Sequence, residues 1–394
     1  MISEKMYQLG SKRSAIREIF EYGKKRAAEI GKENVYDFSI GNPNVPAPVC
    51  VKEAILELLA EEDSTAVHGY TSAQGDYAVR KTIADSLNER FAAGFTADHL
   101  YLTVGAAASL SICFKAITLP GDEIITFAPF FPEYSVFVEA AGGKLVVVPA
   151  DLDNFQIDFA SFKSLINAKT KAVIINSPNN PSGVVYSEAT IKALAELLSA
   201  KSEEYGHPIY LISDEPYREI AYDGVEVPYL TKYYDNTFVC YSYSKSLSLP
   251  GERIGYVAVS PQMAEGERIY AAVCGAGRAL GYICAPSLFQ KVIAKCVTAT
   301  SDISIYQKNR DLLYAGLQKL GFKCVKPEGA FYLFVKALEE SAGDFCAKAR
   351  EYDLLLVPGD DFGCPGYVRI SYCVKTEQII NSLPAFEKLA QAYK

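Results

Sequence analysis

Residues 237–256 read TFVCYSYSKSLSLPGERIGY. The apolar run TFVCYS (237–242) stops abruptly at a hydroxyl-rich segment that holds one lysine, Lys245, with a Pro-Gly turn and Arg253 behind it. Such a run is expected to be a strand covered on both faces, and the polar segment is the loop beyond its carboxyl end. An ε-amine there is either a solvated loop lysine or, once desolvated or set beside another cation, a nucleophile toward carbonyls. Arg253 can supply that second cation or clamp an anion, because its planar fork suits phosphate oxygens. Ser242 and Ser244 add hydroxyl donors, and Pro250-Gly251 makes a turn able to fold Arg253 back toward Lys245.

The same strand-then-loop pattern recurs upstream. HLYLTV (99–104), EIITFA (123–128), KLVVVPA (144–150), KAVIINS (171–177) and PIYLIS (208–213) alternate with helical stretches such as SEATIKALAELLSAKSEEYG (187–206). Continuous apolar strands separated by helices predict an α/β fold with a mostly parallel central sheet sandwiched by helices. In open sheets of this kind ligands bind beyond the carboxyl ends of the strands, so residues 106, 131, 180, 214 and 245 are expected to be neighbours. After about residue 285 the pattern changes. A long helix over roughly 286–320, then FKCVKPEGAFYLFVKA (322–337), another helix, LLLVPGDDF (354–362) and YVRISYC (367–373) predict a smaller α+β domain. The expected division is 1–48 as an N-terminal arm that partly joins the small domain, 49–285 as the large domain, and 286–394 as the small C-terminal domain.

Composition narrows the function. The chain has 394 residues, 49% of them hydrophobic and 22% charged, enough for a sizeable core. A net charge of −8 without a long basic run argues against a nucleic-acid partner. No apolar run approaches the roughly 18 residues of a membrane helix. The first 31 residues lack a hydrophobic signal core and are expected to form an amphipathic helix plus an arm, with the protein in the cytoplasm. Ten cysteines are scattered without a CxxC, and His68, His99 and His207 are the only histidines. That dispersal disfavours zinc sites and disulfide scaffolds, and the thiols are expected to be reduced and buried. So few imidazoles also weaken a Ser-His-Asp hydrolase.

Further groups sit on the predicted loops. In SDEPY (213–217), Asp214 can keep a ring nitrogen protonated and the Tyr217 phenol can meet an oxygen on that ring. Asn180 in SPNNPSG (177–183) can present an amide to a polar ligand atom. Gly105, Ala106 and Ala107 are small residues opening a helix, where free backbone N–H groups suit a phosphate. CGAGRALG (274–281) misses the GxGxxG spacing by one residue and no Walker A pattern occurs, which leaves dinucleotide and nucleoside-triphosphate sites without their signature. A Schiff-base lysine, a pyridinium-partner aspartate, ring-oxygen donors and a phosphate cradle, each after a predicted strand, make up the set that pyridoxal 5′-phosphate needs.

The chain resembles the class I/II aminotransferases, pyridoxal-phosphate enzymes of fold type I, over essentially its whole length. The strongest likeness is SYSKSLSLPGERIG (242–255), which implies Lys245 as the cofactor-bearing lysine and Arg253 as a phosphate ligand. By the same resemblance Asp214 lies at the pyridine nitrogen, Tyr217 and Asn180 share the phenolic oxygen, and Gly105, Ala106, Ala107, Ser242 and Ser244 serve the phosphate. Phe131 in APFFPEY would stack on the ring, and Tyr70 in HGYTSAQG would reach the phosphate of a partner subunit. Gly41 in SIGNPNVPAP matches a substrate-side glycine, and Arg369 in YVRIS the arginine that holds the substrate α-carboxylate. The family turn usually reads NPxNPTG; here Ser177 and Ser182 replace its first Asn and its Thr, while Asn180 is retained.

The resemblance implies transamination between an L-amino acid and a 2-oxo acid, of aspartate type or of broad specificity, by a homodimer with shared active sites. Arg278 is the candidate cation for a substrate side-chain carboxylate. The same constellation also supports a C–S lyase acting by β-elimination. A cofactor-binding regulator is a further alternative, although the first 40 residues are too short and too weakly basic for a DNA-binding module.

Overall fold

The computed structural model describes residues 2–11 and 15–394; the parts of the expected N-terminal arm at residues 1 and 12–14 lie outside the described residues. Twelve strands are present among them: β1 Tyr36–Asp37, β2 Leu100–Thr103, β3 Glu123–Phe127, β4 Lys144–Val148, β5 Thr170–Asn176, β6 Tyr210–Asp214, β7 Thr237–Ser242, β8 Gly255–Val259, β9 Tyr332–Lys336, β10 Leu354–Leu355, β11 Val357–Pro358 and β12 Tyr367–Ser371. Seven form one sheet in the order β2-β8-β7-β6-β5-β3-β4, in which β8 alone runs antiparallel to its neighbours. The predicted mostly parallel sheet is therefore observed.

The strands are apolar throughout because both sheet faces are covered. On one face Ile174, Ile212, Phe238 and Val257 meet Ile112 and Phe114 of helix Ala106–Ile117 and Val273 of helix Gly266–Leu280. On the other, Val173 and Leu211 meet Ile191, Leu194 and Leu198 of helix Glu188–Tyr205. Beside them Val239 and Ala258 pack on Leu58, Ile83 and Leu87 of helices Val49–Glu61 and Tyr77–Phe91. Each such fully buried aliphatic side chain contributes about 1.5–3 kcal/mol.

The direction of β8 has a short connection as its cause. Only residues 243–254, including the helical turn Tyr243–Ser246, separate β7 from β8, too little for the crossover helix that a parallel neighbour needs. Since β8 starts where β7 ends (Ser242 pairs with Gly255), Arg253 emerges at the same edge as the ends of the parallel strands.

The smaller α+β unit contains the antiparallel sheet β11-β12-β9 with helices Ser304–Lys319, Ala342–Arg350 and Thr376–Gln391. The N-terminal segment joins it: β1 pairs in parallel with β10, and Phe38 and Val45 enter its core. The long helix expected over 286–320 is instead two helices, Ser287–Lys295 and Ser304–Lys319. The intervening CVTATSDI is rich in β-branched residues and short hydroxyls that compete for backbone hydrogen bonds, and the Asp302 carboxylate accepts the Ser304 N–H at 3.0 Å. Val292 and Ile293 of the first helix are buried with Val51, Ile83 and Leu87, so this helix packs on the large-domain side of the boundary expected at 285–286.

All ten cysteines are free; six are buried and four half-buried. Among the described residues no helix is long and apolar enough to cross a membrane.

Candidate active site

The carboxyl ends of β5, β6 and β7 meet the start of β8 and the middle of β12 at a cleft of about 370 Å³. Register places the strand ends side by side, with Asn176 opposite Asp214 and Asp214 opposite Cys240. The loop after β5 is held by side chains. Asn176 donates to the Asp214 main-chain oxygen at 2.8 Å and accepts the Asn180 N–H at 2.7 Å. Ser182 donates its hydroxyl to Asn179 Oδ1 at 2.7 Å, and Ser177 accepts the Tyr186 N–H at 2.9 Å. The two serines that depart from the usual turn sequence thus each take part in the hydrogen bonds of this loop.

One end of the cleft is a seat for an anion. Gly105, with φ of 93°, opens helix Ala106–Ile117 without a side-chain cap, and Ala106 and Ala107 line the cleft. A helix N-terminus carries partial positive charge and orphan N–H donors. Beside it the Ser242 and Ser244 hydroxyls bond to each other at 2.7 Å, and Arg253 faces the same space. Arg253 adopts φ of 52°, a left-handed backbone that a non-glycine residue holds only at an energetic cost. It follows the Pro-Gly turn, and Arg253 Nη1 donates to the Pro250 carbonyl at 3.1 Å. A Cβ on Gly105 would lie 2.7 Å from Arg253 Nη2, so glycine lets the guanidinium close over the helix end.

The middle of the cleft holds a carboxylate and an amine. Asp214 is buried; its Oδ2 accepts from the Tyr134 hydroxyl at 2.6 Å, and its Oδ1 has no partner. Burial pushes this carboxyl up to about 7, against the opposing effect of the Tyr134 bond. A buried acceptor without a donor costs about 1–3 kcal/mol, and such a group fits an N–H or cation supplied by a ligand. Lys245 Nζ donates to the Gly41 carbonyl at 2.7 Å. Burial lowers its amine to about 8; Cys373 acts the other way, and the charges of Arg253 and Arg369 add to the lowering.

At the far end Arg369 is buried, at 3% exposure, with its planar group over the Tyr332 and Phe362 rings at 4.9 and 5.0 Å. It donates to Asn180 Oδ1 at 3.1 Å and to the Ser39 carbonyl at 2.6 Å, while its Nε has no partner. Its hydrogen-bond partners are both neutral, and burial lowers its pKa. A buried guanidinium without an anion is costly, so this end suits a carboxylate. The Tyr217 and Tyr332 hydroxyls lie 2.8 Å apart, and a Cβ on Gly41 would collide with the Tyr332 hydroxyl.

Gly41, Ala106, Ala107, Phe131, Asn180, Asp214, Tyr217, Ser242, Ser244, Lys245, Arg253 and Arg369 all line this one cleft, and Gly105 stands directly behind it. Tyr70 and Arg278 do not. Tyr70 is 98% exposed, and Arg278 is exposed on the last turn of helix Gly266–Leu280. Tyr134, Tyr332 and Asn176 belong to the site yet carry no motif of their own. Tyr134 falls three residues after Phe131 and Tyr332 lies inside EGAFYLF, stretches in which neighbouring residues dominate the pattern.

The site is that of an amino-group-transfer enzyme, and the comparisons agree: residues 33–385 match the model for aminotransferase class I and II, and the chain belongs to that family. It is 32% identical over 380 residues to the aspartate aminotransferase of Thermotoga maritima, covering 94% of this chain and 96% of that one. It is 30% identical over 373 residues to the aspartate/prephenate aminotransferase of Thermus thermophilus, covering 92% and 94%. The crystal structure of an amino transferase from Eubacterium rectale superposes with a TM-score of 0.98 at 65% identity, over 100% of this chain and 99% of the other.

Proposed function

We propose that this aminotransferase uses pyridoxal 5′-phosphate, carried on Lys245, to move an amino group from an L-amino acid to a 2-oxo acid, with aspartate as a principal donor. The observation that carries the proposal is the single cleft in which a desolvated amine, an unpartnered buried carboxylate oxygen and an unpaired buried guanidinium face one another. When bound, the cofactor supplies an aldehyde and an electron-withdrawing ring that stabilises charge at the substrate Cα. The residues fit it. Ser242, Ser244, Arg253 and the uncapped helix end would donate to the phosphate; Asp214 Oδ1 would accept an N–H from the ring; Tyr217 and Asn180 would meet the ring oxygen, and Phe131 would cover the ring face.

Arg369 binds and orients the substrate carboxylate, because its fork offers parallel donors and Nε awaits an acceptor. The Lys245 amine would take the proton from the substrate Cα and deliver it to the cofactor's aldehyde carbon, a task suited to an amine that burial has lowered to about 8. Aspartate as donor rests on the names of the relatives. Arg369→Ala is expected to lower kcat/KM for every amino acid by roughly 10²–10⁴-fold, the equivalent of two charged hydrogen bonds, with Arg369→Lys restoring only part. Steady-state kinetics on several amino acids check this; a loss confined to one substrate would remove Arg369 from the α-carboxylate.

The same proposal includes a symmetric homodimer. Cys284 N–H bonds to the Ala73 carbonyl at 3.2 Å, which sets exposed Tyr70 near exposed Leu280, Tyr282 and Ile283. A second copy covering this apolar surface would bring Tyr70 and Arg278 to the neighbouring cleft. Arg278→Ala is then expected to cut turnover of aspartate about tenfold more than that of alanine or tyrosine. The check mixes cofactor-loaded protein with each amino acid and follows the visible band; an unchanged ranking removes Arg278 from the substrate side chain.

A further inference from the structure

The two oxygens of the Asp214 carboxylate are in different circumstances. Oδ1 is buried and unpartnered, whereas Oδ2 accepts the Tyr134 hydroxyl at 2.6 Å. Tyr134 sits in the first turn of helix Glu133–Ala140 at 1% exposure, edge-on to Phe131 at 5.7 Å and stacked on Phe130 at 6.4 Å. Its ring therefore has little freedom, and the position of its single proton is set by packing. The other ionisable groups whose fields act between them and Asp214 are Glu215, Tyr217 and the Cys240 thiol. All of these are acids, so none offsets the burial of a carboxylate there. The Asn176 amide reaches the Asp214 main-chain oxygen, not its carboxylate.

We propose that Tyr134 is a positioning residue that decides where the proton rests between Asp214 and the ring nitrogen of a bound pyridoxal cofactor. The inference rests on the cofactor proposed above. By donating to Oδ2, Tyr134 weakens the carboxylate as a base and turns Oδ1 toward the cleft. The shared proton then stays on the ring, where it strengthens electron withdrawal. Without the hydroxyl the same proton passes to Asp214, leaving a neutral acid beside a neutral ring. No net proton is gained or lost.

The test uses cofactor-loaded protein with ¹⁵N at the cofactor ring nitrogen, whose NMR shift separates a protonated from a neutral ring. A protonated signal is expected in the natural protein, moving toward the neutral value in Tyr134→Phe. kcat is expected to fall about tenfold or more while KM for the amino acid changes little, as for a lost hydrogen bond to a charged group. Site-specific 3-fluorotyrosine at 134, a stronger donor of unchanged shape, is expected to hold the signal at or beyond the natural value. A ring signal unmoved in Tyr134→Phe overturns the proposal, as does a neutral signal in the natural protein. Should Tyr134→Phe not fold, a fluorotyrosine signal displaced toward neutral does the same. Absence of any cofactor ring signal overturns the cofactor assignment, and this inference with it.

Discussion

Lys245→Ala is expected to lower transamination by about 10⁴-fold or more and to abolish the absorbance change that accompanies attachment of the cofactor aldehyde to the protein. Two tasks vanish together: the covalent anchor and the group that carries the Cα proton. Binding of the phosphate is expected to survive in part, because Ser242, Ser244, Arg253 and the helix end at Gly105 do not depend on the amine. Lys245→Arg separates chemistry from structure. It keeps a cation able to reach the Gly41 carbonyl but cannot lose its proton, so its activity should fall as far as that of the alanine variant. A largely active arginine variant would reduce Lys245 to a structural cation.

The same residue sets a pH dependence. The neutral amine is the nucleophile, and burial has brought the ammonium down to about 8. Roughly a tenth of the amine is free at pH 7 and most of it above pH 9. Uptake of cofactor by cofactor-free protein should therefore accelerate as pH rises through about 8 and then level off. Stopped-flow absorbance at a series of pH values checks this. A rate that climbs unabated to pH 10.5 would mean that the amine behaves as an ordinary solvated lysine.

Asp214→Asn is the second large effect. The amide has the shape of the acid, but it carries no charge and places a donor or a weak acceptor where Oδ1 stands. Breaking a buried charge pair by neutralising one member costs about 3–5 kcal/mol, so kcat should fall by roughly 10²–10³-fold. KM for the amino acid should move little, because Arg369, the proposed carboxylate ligand, lies elsewhere in the cleft. Stability should respond in the opposite sense. The folded carboxyl, raised to about 7, lies above its unfolded value, so the folded protein binds the proton more tightly. That carboxyl favours folding at low pH, and the advantage is lost as pH rises through 7. At pH 8 the cofactor-free Asn variant should accordingly melt no lower than the natural protein. Thermal melts at pH 5 and pH 8 test this, and a variant less stable at both would show that the carboxylate is structural.

Much of the fold was legible because two-sided burial writes itself into a strand. KAVIIN and TFVCYS admit no polar alternation, and each is followed by the loop that holds its functional group. The single helix expected over 286–320 is instructive. The apolar spacing continues through it, yet backbone competition by Thr and Ser divides it, and the released segment returns to the catalytic turn: Ser301 N–H bonds to the Ser246 carbonyl at 2.7 Å. That bond joins residues 55 positions apart, beyond the reach of any local pattern. Tyr134 and Tyr332 escaped for a related reason. A tyrosine in an apolar stretch has the same pattern whether its hydroxyl meets water, a backbone carbonyl or Asp214.

Arg369 was implied only by the family resemblance; from its own residues this chain declared its sheet, the order of the loops beyond its strands and the candidates Lys245, Asp214 and Arg253. Each of those depends on residue type and on the distance from a strand end, which are local quantities. Tertiary structure alone decided the antiparallel run of β8 that brings Arg253 to the strand ends, the burial that sets Lys245 near 8 and Asp214 near 7, and the single free oxygen of Asp214. Desolvation and hydrogen-bond partnership depend on everything that packs around a group, so they exist only once distant segments have met.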